Sequence, residues 1–152
     1  MNLKEFSELY NATKYGNIPI HARPNRQFKE NSANELTKSV LAWLEMNQIH
    51  AFRQSSEGRY LAPKTVKNVI GRTVTLGQGK YIPRSKGAKG SADITATLPP
   101  LGRRCEIEIK YGKDKQSDVQ KEFQKEVESM GGIYIIVRSW DGFLFEIKKF
   151  VK

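Results

Sequence analysis

Three residues have the types and spacing that metal-dependent chemistry on a phosphate would need: Asp93, Glu108 and Lys110. Residues 92–98 and 104–110 each alternate between apolar and polar side chains, which predicts two strands with one apolar face apiece. All three residues fall on the polar faces of these strands. Two carboxylates and one ammonium are therefore expected side by side on one face of a sheet.

The turn between these strands predicts how they pair. Residues 99–102 read Pro-Pro-Leu-Gly, and if they form the hairpin loop, Leu98 faces Arg103. Counting back along both strands places Asp93 opposite Glu108, with their side chains roughly 5 Å apart. Two like charges in this position destabilise the sheet unless a proton or a cation lies between them. The register itself indicates a divalent metal held by oxygen ligands.

These residue types suit hydrolysis of a phosphodiester, in which attack by water adds negative charge to a phosphorus already surrounded by oxygens. Mg²⁺ or Mn²⁺ held by Asp93 and Glu108 would neutralise that charge and lower the pKa of a water molecule. Lys110 could orient the attacking water or oppose the charge that develops on the phosphate. The side chain of Ile109 is expected in the core, but its backbone carbonyl could be an extra metal ligand.

Composition favours a nucleic-acid partner. The 152 residues include 26 Lys and Arg against 16 Asp and Glu, a formal charge of +10, which suits a polyanion. An anionic membrane surface is the competing partner. A bilayer-spanning apolar run and a signal-peptide core are both absent from the sequence, so we expect an intracellular, cytoplasmic location. The single cysteine, Cys105, is expected to be a small buried hydrophobe.

The N-terminal part of the chain must position these strands. Residues 3–14 could form a short helix, and residues 16–33 look like a basic extended arm that could wrap a partner or a second subunit. Ser32 and Glu35 have the spacing of a capping box, which predicts a helix running to about Asn47. Its expected buried stripe is Leu36, Val40, Trp43 and Leu44.

The middle of the chain is less regular. Residues 49–54 predict a strand, and residues 65–70 and 72–76 could pair as a hairpin around Gly71. Residues 78–90 are rich in lysine, arginine and glycine, a composition that could fit a phosphate backbone.

The C-terminal part predicts a helix, a strand and a closing helix. Ser117 and Gln120 form another capping box, and the helix that they open should end at Gly131-Gly132. Its expected core face is Val119, Phe123, Val127 and Met130. A strand over 133–138 and a helix over 140–151 follow. The resulting order predicts an α/β domain with a central mixed β-sheet flanked by helices.

Over roughly residues 34–150 the sequence resembles the VRR-NUC domain of the PD-(D/E)XK nuclease superfamily. The resemblance depends on Glu35, Phe52-Arg53-Gln54-Ser55, Gly90-Ser91-Ala92-Asp93, Glu108-Ile109-Lys110, Gln120 and Gly132-Ile133-Tyr134-Ile135-Ile136-Val137-Arg138-Ser139. It implies a restriction-endonuclease-like (PD-(D/E)XK) core in residues 34–152, preceded by the helix and basic arm of residues 1–33.

The same resemblance assigns roles to the site residues. Asp93 and Glu108 would be the main metal ligands, and Lys110 the catalytic lysine. Gln120 would support the site, and Glu35 would be an acid reaching toward the metals. Both Glu35 and Gln120 also have a purely structural explanation as capping-box residues.

The resemblance also implies an activity. Members of this family are Mg²⁺- or Mn²⁺-dependent nucleases, and the short chain is similar to the small stand-alone bacterial and phage proteins that look like Holliday-junction resolvases and dimerise. We therefore expect a metal-dependent DNA endonuclease that acts on branched or structured DNA as a homodimer, in a bacterial or phage-infected host cell. The residues expected to contact DNA are Arg53, Lys80, Arg84, Lys86, Lys89 and Lys113.

Two other functions fit the same residues. In a non-catalytic basic nucleic-acid-binding protein, Asp93 and Glu108 would only form salt bridges with lysines. A sequence-specific restriction enzyme could share the fold. Glu106, on the same strand face as Glu108 but nearer the turn, is expected to face solvent or to pair with a lysine.

Overall fold

The computed structural model describes residues 1–54, 59–82 and 90–151. Along the chain its elements are α1 (Leu3–Tyr15), a 3₁₀ turn (Ile20–Ala22), α2 (Ala33–Met46), β1 (His50–Arg53), β2 (Arg59–Leu61), β3 (Lys64–Lys67), β4 (Thr73–Leu76), β5 (Lys80–Ile82), β6 (Ile94–Leu98), β7 (Arg103–Ile109), α3 (Asp118–Ser129), β8 (Ile133–Val137) and α4 (Trp140–Ile147). Of the described helices, none is both long and apolar enough to span a bilayer.

The chain divides into two compact units. The first comprises Met1–Gln54 and Gly90–Lys152, and the second comprises Ser55–Lys89. The boundary that the sequence placed between residues 33 and 34 lies inside the first unit.

A four-stranded sheet in the order β1-β6-β7-β8 forms the centre of the first unit. β6 is antiparallel to both β1 and β7, whereas β7 and β8 are parallel. The parallel pair follows from α3, because a parallel connection needs a crossover and α3 supplies it. The expected α/β fold with a mixed sheet flanked by helices is confirmed.

The expected pairing of β6 with β7 is also confirmed. Leu98 pairs with Arg103, and Ile94 pairs with Ile107. One further step along this register brings Asp93, the residue just before β6, opposite Glu108.

The apolar face of the sheet packs against α1, α2 and α4 in one buried cluster. The sheet contributes residues such as Ile94, Cys105 and Ile107, each fully buried, as the alternation predicts. The predicted stripe of α2 is buried in full. The core therefore lies on one side of the sheet and leaves the other side for polar side chains.

Residues 16–33 do not extend away from the first unit as a free arm. Phe28 is buried in the core, and the Lys29 carbonyl accepts a hydrogen bond from the Ser39 hydroxyl at 2.9 Å. The Glu30 carboxylate accepts the Trp140 backbone N–H at 2.6 Å. These contacts secure the C-terminal half of the segment on the chain's own core, an anchoring that the basic composition did not indicate.

Helix α3 covers the polar face of the sheet and packs differently from the prediction. Val127 is buried and the Phe123 ring contacts the Tyr134 ring, but Val119 and Met130 are 49% and 74% exposed. The expectation that these two residues belong to the core is wrong. α3 faces the sheet through Gln120, Phe123, Gln124 and Val127, so Val119 and Met130 lie beside this stripe and not within it.

The second unit contains two strand pairs. β3 and β4 form the predicted hairpin, and β2 pairs with β5. The β2–β5 pair was not predicted, because each strand has only three residues and the two are far apart in sequence.

Candidate active site

Asp93 lies just before β6, and its side chain takes the place of a backbone acceptor opposite β7. Its Oδ2 accepts the backbone N–H of Ile109 at 2.8 Å. This bond fixes the carboxylate against the end of β7, next to Glu108. In an antiparallel pair a residue's N–H and C=O point toward the same neighbouring strand, so the Ile109 carbonyl lies on the Asp93 side of β7.

Glu108, Lys110 and Gln120 form a closed triangle of polar contacts. The Lys110 Nζ lies 2.9 Å from Glu108 Oε1 and donates to Gln120 Oε1 at 3.0 Å. Gln120 Nε2 donates to the same Glu108 oxygen at 2.5 Å. Glu108 and Lys110 are only 3% and 5% exposed. The structure thus joins three of the predicted site residues in one buried network.

Gln120 serves the helix and the site at once. Its Oε1 accepts the Ser117 backbone N–H at 2.9 Å, and its own backbone N–H donates to the Ser117 hydroxyl at 3.3 Å. These bonds are the reciprocal capping box that the sequence predicts. Because the same amide group also contacts Glu108 and Lys110, the start of α3 is held at the end of β7.

Gly90 brings the strand of Asp93 close to the start of α3. Its φ of +77° is costly for other residues, and an added Cβ would lie 2.7 Å from the Val119 carbonyl oxygen. The sequence showed Gly90 only as part of the Gly-Ser-Ala-Asp segment. The structure gives it a steric reason.

One carboxylate oxygen of the network is unpaired within the part of the chain that the structure describes. Glu108 Oε2 is buried and forms no hydrogen bond within the described part of the chain. Burial raises the pKa of Glu108, and the nearby Asp93 charge raises it further, while the contacts with Lys110 and Gln120 oppose these effects. The unpaired oxygen therefore belongs to a carboxylate whose charge the protein does not fully compensate.

Lys110 keeps its charge in this environment. Burial lowers the pKa of Lys110, but the hydrogen bond and charge of Glu108, together with Asp114, outweigh burial and leave the pKa above its ordinary value. Asp114 lies 3.4 Å from the ammonium. Sequence reasoning missed Asp114, because it lies in the loop after β7, where spacing along the chain does not predict contacts.

The donor set at this point fits a hard divalent cation. Asp93 and Glu108 offer carboxylate oxygens, one of them an unpaired buried atom, and the Ile109 carbonyl is on the same side. The described residues contain no group of three or more His, Cys, Asp or Glu side chains that could hold a metal. Mg²⁺ nevertheless commonly uses one or two carboxylates and takes its other ligands from water and substrate phosphates.

Glu35 is not part of this network. Its carboxylate pairs with Lys38 at 2.6 Å, and its backbone N–H donates to the Ser32 hydroxyl at 3.2 Å. Only this half of the expected capping box is present among the described contacts. Nor does any described hydrogen bond or ion pair join Glu35 to Asp93 or Glu108.

Arg53 is a predicted DNA-contacting residue in β1 of the four-stranded sheet. Its guanidinium donates to the Asn34 side chain at 2.7 Å, and the next residue, Gln54, donates its backbone N–H to the Asp93 carbonyl at 2.7 Å. Lys113 is exposed in the loop between β7 and α3, and Lys80 is exposed in β5 of the second unit. The other predicted contacts, Arg84, Lys86 and Lys89, lie outside the described residues.

Glu106 does not face solvent, and none of its described contacts is with a lysine. It is fully buried, and its two oxygens accept hydrogen bonds from Arg104 at 2.6 Å and from Thr95 at 2.9 Å. Gln54 in turn donates to the Thr95 hydroxyl at 3.0 Å. The expectation was wrong because α3 covers this face, with the Arg104 guanidinium over the Phe123 ring.

Comparisons with known proteins do not assign this chain to a family. No protein-family model matches it, and no curated protein is significantly similar to it. The resemblance to the VRR-NUC domain therefore stays a proposal.

Proposed function

We propose that this protein is a Mg²⁺- or Mn²⁺-dependent DNA endonuclease with a restriction-endonuclease-like core akin to the VRR-NUC domain. The observation that carries this proposal is the unpaired, buried Oε2 of Glu108 beside Asp93. Buried polar atoms are almost always paired, and an unpaired carboxylate oxygen next to a second carboxylate is what a bound cation would satisfy.

Each residue of the network has a role in this proposal. Asp93 and Glu108 would hold the ion, with the Ile109 carbonyl as a further oxygen ligand. When bound, the ion supplies charge neutralisation at the phosphate and a lowered pKa of the attacking water. The Ile109 N–H fixes one oxygen of Asp93, and Gln120 and Lys110 fix one oxygen of Glu108. The remaining oxygen of Glu108 has no hydrogen bond within the described residues.

Lys110 would act as a fixed positive charge rather than as a base. Its pKa is raised above the ordinary value, so it stays protonated at neutral pH and can donate to the attacking water or to a phosphate oxygen. Gln120 and Asp114 hold the ammonium in place and are positioning residues.

The net charge of +10 supports DNA as the substrate. We propose branched DNA, cut in a Holliday-junction-resolvase-like manner by a homodimer in the cytoplasm, because paired cuts need two sites and a twofold dimer provides them.

One observation favours a second candidate function. The Lys110–Glu108 ion pair is closed and buried, as it would be if the acids served only to neutralise lysines. In that case the protein would be a non-catalytic nucleic-acid-binding protein, and its basic surface would be its functional part.

Cleavage assays with matched variants separate these functions. Purified protein is incubated with supercoiled plasmid and with a synthetic four-way junction in Mg²⁺, Mn²⁺ or EDTA. We expect metal-dependent cuts that disappear in Asp93→Ala and Lys110→Ala and persist in Lys121→Ala, which removes an exposed lysine of α3. Binding without cutting, or cutting that survives both site substitutions, would contradict the proposal. Discrete fragments from linear DNA would indicate a restriction enzyme.

A further inference from the structure

The second unit is the most basic part of the described chain. Residues 59–82 contain five basic and no acidic residues, so these 24 residues carry half of the net charge of +10. The basic residues are Arg59, Lys64, Lys67, Arg72 and Lys80. A segment with this charge attracts polyanions and repels a second copy of itself.

The same segment buries none of its large apolar side chains among the described residues. Its exposed large hydrophobics are Tyr60, Leu61, Val66, Val69, Ile70, Val74, Leu76, Tyr81 and Ile82. Scattered exposed apolar residues are ordinary, but nine of them lie within one short, acid-free segment, a density that suits a partner.

The β3–β4 hairpin has two different faces. Val66 pairs with Val74 on one face, and Thr65 pairs with Thr75 on the other. Lys67 and Arg72 stand on either side of the turn that joins the strands. The hairpin thus presents apolar and cationic groups together at its end.

The tip of this hairpin is closed by hydrogen bonds and is apolar. The Asn68 side chain accepts the backbone N–H groups of Ile70 at 3.2 Å and Arg72 at 2.9 Å, and Gly71 supplies the positive φ of 75°. Turn positions usually carry polar residues or glycine. Here they carry Val69, which is fully exposed, and Ile70, which is 80% exposed.

We propose that the β3–β4 hairpin is a DNA-binding wedge. Val69 and Ile70 insert between bases where stacking is interrupted, and Lys67 and Arg72 contact the phosphates on either side. Apolar side chains that enter base steps are an established means of binding distorted DNA, and the fixed turn keeps both side chains forward. The charge excludes a second copy as the preferred occupant, because the described part of the unit has no acid to meet five cations.

The choice of branched DNA rests on the proposed nuclease function, but the wedge can be tested without cleavage. Binding of the full-length protein to a four-way junction and to a linear duplex of the same length is measured by fluorescence anisotropy in EDTA. The test variant is V69S/I70S, whose turn hydrogen bonds remain. The matched control, I20S/L101S, removes two apolar side chains that are each 83% exposed in the first unit.

Losing two aliphatic side chains that the junction would bury should weaken junction binding by V69S/I70S at least about tenfold. Binding to the linear duplex should change less than about twofold, since that duplex relies on phosphate contacts. The fluorescence of a 2-aminopurine base at the branch point should increase when the wild type or the control binds, because the base unstacks. It should not increase with V69S/I70S. In K67A/R72A the slope of log affinity against log salt concentration should become less negative by about two, because two phosphate contacts are lost.

Two results would overturn the wedge. One is junction affinity and 2-aminopurine brightening by V69S/I70S equal to those of the wild type. The other is a change from dimer to monomer in V69S/I70S with normal DNA binding, which would assign the hairpin to a contact between copies. A protein that binds the junction through the wedge but never cuts it would refute the nuclease proposal alone.

Discussion

Glu106 and Glu108 lie two residues apart on the same face of β7, yet their surroundings differ. Glu106 is 0% and Glu108 3% exposed. Both oxygens of Glu106 accept hydrogen bonds, from Arg104 and from Thr95. Glu108 concentrates its contacts on Oε1 and leaves Oε2 unpaired within the described residues.

This difference separates an acid whose two oxygens are both satisfied by the protein from one that could bind a ligand. A buried carboxylate normally pairs both oxygens, and leaving one unpaired costs about 1–3 kcal/mol. The strand meets this requirement at Glu106 and not at Glu108, where Asp93 adds a second negative charge. The unpaired oxygen of Glu108 is an unfavourable feature at one end of the sheet, and a ligand that bound this oxygen would remove the cost.

The largest expected difference between the two acids is in the rates at which Glu108→Gln and Glu106→Gln cleave a DNA junction. The first removes the charge of a proposed metal ligand and should slow junction cleavage by about 10³-fold, equal to about 4 kcal/mol of activation free energy. The second alters a group that the proposed chemistry does not use and should slow cleavage by less than about tenfold.

Thr95→Val is the companion variant in case Glu106→Gln folds poorly, because it removes only one hydrogen bond to Glu106. Rates are read from single-turnover cleavage at saturating Mn²⁺, with circular dichroism to verify folding. Equal losses in Glu106→Gln and Glu108→Gln would break the distinction between the two acids.

Metal binding without DNA provides the next test. A ligand that binds only the folded state at 100 times its Kd stabilises that state by about 2.7 kcal/mol. We expect Mn²⁺ to raise the Tm of the wild type and of Glu106→Gln, and to leave Asp93→Ala and Glu108→Gln almost unchanged. Equal metal-induced shifts in all four proteins would show that the ion binds elsewhere.

Much of this arrangement could be predicted from the sequence because it depends on local rules. Alternating side chains and a four-residue loop were sufficient to place Asp93 opposite Glu108, and the Ser117–Gln120 spacing located the start of α3. These patterns act over a few residues, so no knowledge of distant packing is needed.

The differences between the two glutamates could not be predicted, because they depend on contacts distant in sequence. Glu106 and Glu108 occupy equivalent places in the alternation, and only the packing of α3 and the position of Thr95 separate them. Glu35 was similarly ambiguous, since its spacing suits a capping box, a metal ligand or the observed pair with Lys38.

Stability in EDTA should rank the two acids in the opposite order from activity. Glu106→Gln replaces an acceptor oxygen by an amide donor facing Arg104 or Thr95, and should lower the free energy of unfolding by about 1–3 kcal/mol. Glu108→Gln removes a poorly compensated buried charge, while Lys110 keeps Gln120 and Asp114 as partners. Its stability should equal or exceed that of the wild type.

Urea unfolding in EDTA, with the slope of the transition checked for constancy, measures both values. A larger loss for Glu108→Gln than for Glu106→Gln would mean that Glu108 is mainly structural and that its unpaired oxygen has no energetic consequence.

The smallest expected effect concerns the exposed Lys14–Glu45 ion pair, whose contribution to stability is the reference for the buried acids of β7. Lys14 and Glu45 lie 2.6 Å apart with side chains 42% and 59% exposed, so Glu45→Gln should cost less than about 1 kcal/mol at pH 7. The hydrogen bond from Lys14 lowers the pKa of Glu45 below 4.5. The pair's contribution is therefore present above that pH and is lost as the pH falls through the lowered pKa.

Urea unfolding of the wild type and of Glu45→Gln from pH 7 to pH 3 should show the difference in their free energies of unfolding shrinking as the pH falls. A deficit that matched that of Glu106→Gln, or that stayed constant down to pH 3, would mean that burial is not what makes the β7 acids energetically distinct.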